Sequence, residues 1–288
     1  MAKAPGHQFG QLVGNMVEEI VYSALATFAK KYGYYLDKQG PRGKAREGSK
    51  VTWCDIYDCE HDLDFVIEKD GTADVRGRPL AFIETAWRRY TKHSKNKVQE
   101  IQGAILPTAE KNWKDRPFLD VVLVGIFTSN AIEQMTKSGF EVLYIHRSAI
   151  IQAFKGVGIA IDFDEDTPDK HFRAAVRALN ELSHTKREKL KNKLQNVAGK
   201  DFDNFISKLE AALSRKIEKI VISPLFGEPS EFTSIESARL FLEGKLVPPE
   251  SATLVKIDVC VFYNNGAQIK ASYPTAGEAL ALLDYVAK

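Results

Sequence analysis

Two short apolar runs in this chain each carry a carboxylate, and a lysine-rich segment follows at once. The first reads His61-Asp62-Leu63-Asp64-Phe65-Val66-Ile67, and the second reads Pro79-Leu80-Ala81-Phe82-Ile83-Glu84-Thr85-Ala86-Trp87. Asp70-Gly71 between them is a turn signal, so both runs are predicted as strands. Ser94 then caps a helix whose buried stripe is Val98, Ile101, Ala104 and Ile105. Strand, strand and basic helix in this order bring two acids and several lysines into one neighbourhood.

The surrounding pattern places this unit in an α/β chain. Leu12, Val13, Met16, Val17, Ile20, Val21, Leu25, Phe28 and Ala29 recur at helical spacing over 11–36, ending near Gly33. Gly40-Pro41-Arg42-Gly43 marks a loop, and further strands are expected near 51–57, 62–68 and 80–86. Leu119 to Phe127 is almost wholly apolar, as in a strand covered on both faces. Thr128-Ser129-Asn130 opens a helix that stops at Gly139, and 140–145 is the next strand. Residues 169–218 read as helical throughout. The expected fold class is therefore α/β (of the α+β kind): a mixed central sheet flanked by helices over 1–165, a helical segment 166–218, and a small C-terminal α/β subdomain 219–288. In that subdomain, strands 217–222 and 255–263 are each followed by a capped helix, 234–242 and 275–286, with Asn264-Asn265-Gly266 as a hairpin turn. We read these as two ordinary β–α units, a duplicated unit being the alternative.

Composition narrows the class of protein. With 44% hydrophobic and 27% charged residues in 288, the chain is globular rather than disordered. No apolar run approaches the roughly 20 residues that span a bilayer, and 1–10 lacks a signal-peptide apolar region. Cys54, Cys59 and Cys260 are too few for a disulfide framework. A cytoplasmic setting without a membrane partner is expected. The net charge of +2 identifies no polyanion by itself. Its distribution says more: Arg76, Arg78, Arg88, Arg89, Lys92, Lys95 and Lys97 crowd around the carboxylates, and Arg42, Lys44 and Arg46 form a second basic loop. Positive potential around an acidic centre suits a phosphate backbone.

Over residues 10–150, the order of elements and the Asp64…Glu84-x-x motif resemble the PD-(D/E)xK nuclease superfamily, which includes most Type II restriction endonucleases. The resemblance implies a restriction-endonuclease-like core in which an Asp on one strand and a Glu-x-Lys on the next flank a bound Mg²⁺. Asp64 matches the first acidic position, with Asp62 as the alternative two residues away on the same strand face. Glu84 matches the second. Both suit Mg²⁺, a hard cation satisfied by one or two carboxylates plus water and phosphate oxygens. Many members also carry a Glu on the first helix, for which Glu19 and its neighbour Glu18 are candidates, so the metal set is Asp64, Glu84, Asp62 and Glu19.

The family's lysine should stand at position 86, and this chain has Ala86. Either the site is inactive or another lysine reaches it. At ~100° per residue, Lys97 lies roughly 50° from the centre of the following helix's buried stripe and Lys95 roughly 110° away, which favours Lys97. The catalytic set is then Asp64, Glu84 and Lys97. Gln99, Glu100 and Gln102 read as solvated helix face, and Trp87 as core. Arg88, Arg89, Lys92, Lys95, Arg42, Lys44 and Arg46 are the candidates for DNA backbone contact.

Other constellations are weaker. Cys54-x₄-Cys59-x-His61 offers three ligands where a structural zinc site takes four. There is no Walker loop, no Gly-x-Gly-x-x-Gly and no Gly-x-Ser-x-Gly, so no nucleotide cofactor is expected. Asp162–Asp166 lacks calcium-loop spacing. The expectation is a Mg²⁺-dependent endonuclease on double-stranded DNA, of the Type II restriction kind, leaving a 5′-phosphate and acting as a homodimer on two-fold sites. The alternatives are an inactive nuclease fold that only binds DNA, which Ala86 would explain, and a nuclease subunit in repair or transposition.

Overall fold

Phe9, Val13, Met16, Val17, Ile20, Val21, Leu25 and Phe28 are buried along one side of helix α1 (Pro5–Tyr32). Pro5 opens it where a missing N–H costs nothing, and Gly33 closes it at φ 69°, a left-handed cap that a Cβ would oppose. The structure is a computed structural model that describes residues 4–46, 48–214, 216–246, 254–264 and 267–287. Along the chain follow β1 (Tyr35–Lys38), β2 (Val51–Cys54), β3 (Glu60–Leu63), β4 (Phe65–Lys69), β5 (Arg78–Arg88), α2 (Ser94–Lys111), β6 (Phe118–Gly125), α3 (Ser129–Lys137), β7 (Glu141–His146), α4 (Arg147–Lys155), α5 (Asp169–Asn180) and α6 (His184–Leu213).

The main sheet has the order β1-β4-β5-β6-β7. Pairs β1–β4 and β4–β5 are antiparallel, whereas β5–β6 and β6–β7 are parallel because α2 and α3 serve as crossovers. This is a mixed sheet flanked by helices. On one face, Phe82, Ala86, Val121 and Leu123 pack with Val98, Ile101 and Ile105 of α2 and with Met135 of α3. Val51, Trp53 and Leu63 of the β2–β3 ribbon join the same cluster. On the other side Tyr22 of α1 stacks on Phe65 of β4, with ring centroids 6.5 Å apart. Coverage from both faces explains the apolar run of β6.

Two strands are shorter than their sequence pattern suggests. The 51–57 run stops at Cys54, because the Asp55 carboxylate accepts from the N–H of Tyr57 (2.8 Å) and Cys59 (2.9 Å) and turns the chain. The 62–68 run is two strands in different sheets, β3 in the ribbon and β4 in the main sheet, broken at Asp64. Residues 169–218 are not one helical stretch either: α6 is kinked at Gly199 (φ 43°), and a strand begins at Ile217. The chain divides into compact units after Glu210. The helices expected as a segment of their own belong to the first unit, where Phe172 of α5 lies 5.8 Å from Phe9 of α1, ring to ring.

The second unit contains β8 (Ile217–Pro224), β9 (Ser230–Phe232), α7 (Ile235–Leu240) with a π-helical turn after it, β10 (Ile257–Tyr263), β11 (Gln268–Tyr273) and α8 (Ala276–Val286). Its sheet is antiparallel, in the order β11-β10-β8-β9. Ile220, Ile222, Val259 and Val261 pack on Ala238, Leu242, Ala279 and Leu283. Each half runs strand, strand, capped helix. Ser234 Oγ accepts from the N–H of Ser237 and Thr275 Oγ1 from that of Glu278. The duplicated order is therefore present, with short second strands that the sequence pattern left out. The turn expected at Asn264-Asn265-Gly266 lies outside the described residues from 265 on. Among the described residues no helix is long and apolar enough to cross a membrane.

Candidate active site

β4 begins at Phe65, opposite Ile83, while β5 continues from Glu84 to Arg88 alongside β6. Where the β4 ladder ends, side chains replace it. The Thr85 N–H donates to Asp64 Oδ2 at 2.7 Å, and the Thr85 hydroxyl donates to the same oxygen at 2.8 Å. The Asp64 N–H in turn donates to Glu84 Oε1 at 3.1 Å. Each acid thus satisfies backbone or side-chain donors of the other's strand. Among the described residues, Asp64 Oδ1 and Glu84 Oε2 accept no hydrogen bond.

These groups line a cavity of about 820 Å³ between α1, the end of β5 and the start of α2. Burial pushes the Asp64 carboxyl up. Glu84 is raised well above its ordinary value, by burial first and by the Asp64 charge second. Glu18, from α1, is pushed up to about 7 by burial and then by Asp64. The charge of Lys97 acts the other way on both Asp64 and Glu84. Its Nζ donates to Glu100 Oε1 at 2.7 Å, and its side chain is only 16% exposed. Ala86 is buried beside Val98 and Ile101 in the apolar cluster and also lines the cavity, where it offers no charge. The positive charge comes from α2 instead.

No family model matches this chain, and no curated protein matches it. Among solved structures, it is similar to one titled "Crystal Structure of Protein of Unknown Function AF1548", at 13% identity, over 64% of this chain and 97% of that one. The TM-score of 0.29 is too low for that likeness to bear on fold or function.

The structure brings together Asp64, Glu84, Lys97, Arg88 and Arg89 from the sequence-derived set. Several others fall elsewhere. Asp62 is on the ribbon, bound by Lys50 and by Thr52 Oγ1, because the chain changes sheets at Asp64 and the shared-face argument fails. Glu19 faces α6, 3.2 Å from Lys191 and 3.8 Å from Arg187. Its neighbour Glu18 takes the cavity position. Arg42 and Arg46 are interior: Arg42 pairs with Asp37 at 2.6 Å, and Arg46 lies 3.1 Å from Asp37 and 2.7 Å from Glu68. They pin the 39–50 loop rather than face a ligand. Lys44 is exposed in that loop, and Lys92 and Lys95 are exposed before and within the first turn of α2. Trp87 and Glu100 line the cavity, where core and solvated face had been expected. Gln102 is tied to Ser138 and Gln134 of the α3 region.

Thr85 is a cavity residue that the sequence reading missed, and Glu18, named there as a candidate beside Glu19, is the one of the two that lines the cavity. A period-four series, Gly6, Gly10, Gly14 and Glu18, is visible in the sequence and lies on the cavity side of α1. Among the described residues, no three His, Cys, Asp or Glu side chains are grouped as a metal cage. His61 is engaged by Asp55 at 2.8 Å, and Cys54 and Cys59 are unpaired thiols. Two carboxylates nonetheless meet the protein's share of a Mg²⁺ shell, the rest being water and phosphate oxygen.

Proposed function

We propose that the chain is a Mg²⁺-dependent nuclease of the PD-(D/E)xK type that hydrolyses phosphodiester bonds in double-stranded DNA. The observation that supports this most is the Asp64–Glu84–Thr85 bracket, in which Asp64 N–H holds Glu84 and Thr85 holds Asp64, with Lys97 and two arginines in the same cavity. Burial, and for Glu84 the neighbouring Asp64 charge, oppose ionisation of the two carboxyls, and Lys97 offsets this only in part, so a divalent cation is the group that would stabilise both as carboxylates. The two carboxylate oxygens that accept no hydrogen bond fit that role. When bound, the metal would polarise the phosphoryl group and lower the pKa of an attacking water.

The chain's own groups do the rest. Thr85 fixes the rotamer of Asp64 through two donors. Asp64 uses its backbone N–H to hold Glu84. Lys97 supplies the positive charge that orients a water or stabilises a developing oxyanion. Arg88, Arg89, Lys92 and Lys95 supply phosphate contacts around the opening. By the resemblance we extend the proposal to sequence-specific cleavage of the Type II restriction kind, 5′-phosphate ends and a homodimer on two-fold sites.

Ala86 is the observation that favours a second reading, a nuclease fold that binds DNA without cutting it. Digestion of supercoiled and unmodified phage DNA, with Mg²⁺ and with chelator, decides between them when Glu84→Ala and Lys97→Ala are run in parallel. Discrete Mg²⁺-dependent bands lost in both variants support the nuclease with Lys97 as the relocated lysine. Bands lost only in Glu84→Ala keep the nuclease and remove Lys97. Salt-sensitive binding with no cleavage on several DNAs supports the binding module.

A further inference from the structure

The cavity that holds Asp64 and Glu84 has a second, positive pole. Arg88 ends β5 and Arg89 follows it, and both line the same space near the start of α1, where a Cβ on Gly6 would lie 3.4 Å from Arg89 Nη2. The Arg89 guanidinium is held over the rings of Tyr90 and Phe172, 4.4 Å from each centroid. That stacking covers its faces and leaves its edge donors to find acceptors. Arg88 Nη1 donates to the Trp87 carbonyl at 3.0 Å and Arg89 engages Tyr90, but Arg89 Nε and Nη1 and Arg88 Nε are buried without a hydrogen-bond partner among the described residues. Guanidinium donors left in this state are destabilising, and an anion relieves them. The first turn of α1 adds the same sign. It carries no acidic residue and no side-chain cap, and Gly6 and His7 from it line the cavity.

Between the two poles the α1 side of the cavity is lined by Gly10, Gln11, Gly14 and Asn15. Gly10 and Gly14 face the cavity, and a Cβ on either would meet nothing within 4 Å. From Gly6 to Glu18 the helix rises about 18 Å, at ~1.5 Å per residue. Arg88 stands four residues along β5 from Glu84, about 13 Å at ~3.3 Å per residue, which is about two phosphate spacings of an extended strand.

We propose that Arg88 and Arg89 form an anion subsite for a second phosphate of the same nucleic-acid strand, about two nucleotides from the phosphate held at Asp64 and Glu84. This deepens the nuclease reading and rests on it for the identity of the strand. The shared chemistry is a phosphate oxyanion, either an internal diester or a terminal monoester.

The test measures binding to labelled oligonucleotides in chelator, by fluorescence anisotropy. Each oligonucleotide carries one neutral methylphosphonate at a successive position, and a second set differs only in the presence of a 5′- or 3′-terminal phosphate. Wild type is compared with Arg88→Gln, Arg89→Gln and Arg89→Lys, each checked by thermal melting, so that Arg88→Gln carries the test if Arg89→Gln does not fold. The expected result is one position, about two nucleotides from the cut, at which neutralisation weakens wild type about tenfold or more and weakens Arg89→Gln no further. The salt slope of Arg89→Gln falls by about one, whereas Arg89→Lys keeps the slope and loses part of the affinity. A purely structural arginine would not move either readout. If the sensitive position is the terminal phosphate, the subsite reads an end; if internal, it reads the backbone. Equal effects at every position in both proteins overturn the subsite while cleavage leaves the nuclease standing. Calorimetry with inorganic pyrophosphate separates the converse failure. Pyrophosphate binding lost in Arg89→Gln and kept in Glu84→Gln, with no oligonucleotide binding, retains an anion subsite and removes the nuclease. Binding of neither probe removes the subsite.

Discussion

Asp64 holds Glu84 in place: the Asp64 N–H donates to Glu84 Oε1 at 3.1 Å at the point where the β4–β5 ladder ends, while Thr85 holds the Asp64 carboxylate. The site is therefore part of the sheet's own hydrogen bonding, and its position does not depend on a mobile loop. Removing either carboxylate should affect chemistry more than fold. Asp64→Asn and Glu84→Gln keep the acceptor oxygens, so folding is retained, while metal-dependent cleavage falls by roughly a thousandfold or more if several kcal/mol of charge stabilisation are lost. Initial rates across a Mg²⁺ series, with circular dichroism as the folding control, check this. Cleavage within tenfold of wild type would remove these residues from the metal site.

On the proposed nuclease reading, Lys97 takes the role of the lysine that the resemblance would place at Ala86. Lys97→Met should lower kcat by about a hundredfold or more and leave DNA affinity nearly intact. Ala86→Lys alone should instead destabilise the fold by about 1–3 kcal/mol, because position 86 is buried in the apolar cluster. Urea unfolding of Ala86→Lys and single-turnover kinetics of Lys97→Met are the measurements.

Arg46 was a candidate DNA contact and is a buried ion-pair member. Arg46→Met leaves Glu68 and part of Asp37 uncompensated and should cost about 3–5 kcal/mol in urea unfolding. Any DNA affinity that the folded fraction retains should show an unchanged salt slope. A slope reduced by about one would return Arg46 to the DNA interface.

Asp120 on β6 is wholly buried, and both its carboxylate oxygens lack a partner among the described residues. Burial, then Glu141, raises it well above its ordinary 3.8. A raised folded value means that the native chain keeps a proton that the unfolded chain releases. Unfolding free energy therefore falls as pH rises above the unfolded value, by up to about 1.4 kcal/mol per pH unit, until the folded group ionises. Asp120→Val should remove that slope and stabilise the protein by about 1–3 kcal/mol at neutral pH. Urea midpoints of both proteins from pH 4 to 8 test this, and parallel curves would contradict it.

Gly10 and Gly14 lie inside a helix, where glycine is unfavourable. Each Gly→Ala change should raise stability by about 0.5–1 kcal/mol, since the added methyl group meets nothing within 4 Å. Gly10→Leu should also fold, yet block the cavity floor and raise KM for DNA. Unchanged KM in Gly10→Leu would mean that the substrate does not pass along α1.

Local pattern was enough for the elements that repeat a simple period. The α1 stripe, the α2 stripe, the apolar β6 and the Thr128, Ser234 and Thr275 caps all follow from neighbours a few residues apart. The Asp64/Glu84 pair was visible for the same reason, as acids within apolar strands. The residues misplaced were those whose role depends on a distant partner. Asp62 and Asp64 are two residues apart, and only the ribbon's pairing with β2 separates them. Glu18 and Glu19 differ by one helical step, and only the packing of α6 against α1 turns one to Lys191 and leaves the other to the cavity.

Arg42 and Arg46 make the same point. Basic residues in a glycine-flanked loop look solvated until Asp37 and Glu68, on strands β1 and β4, close over them. Side-chain period and capping chemistry act over a turn or a strand's width, so they are written in consecutive residues. Which carboxylate is desolvated, which arginine is paired and where a strand leaves its sheet depend on contacts between segments far apart in the chain, which exist only once the sheet has formed.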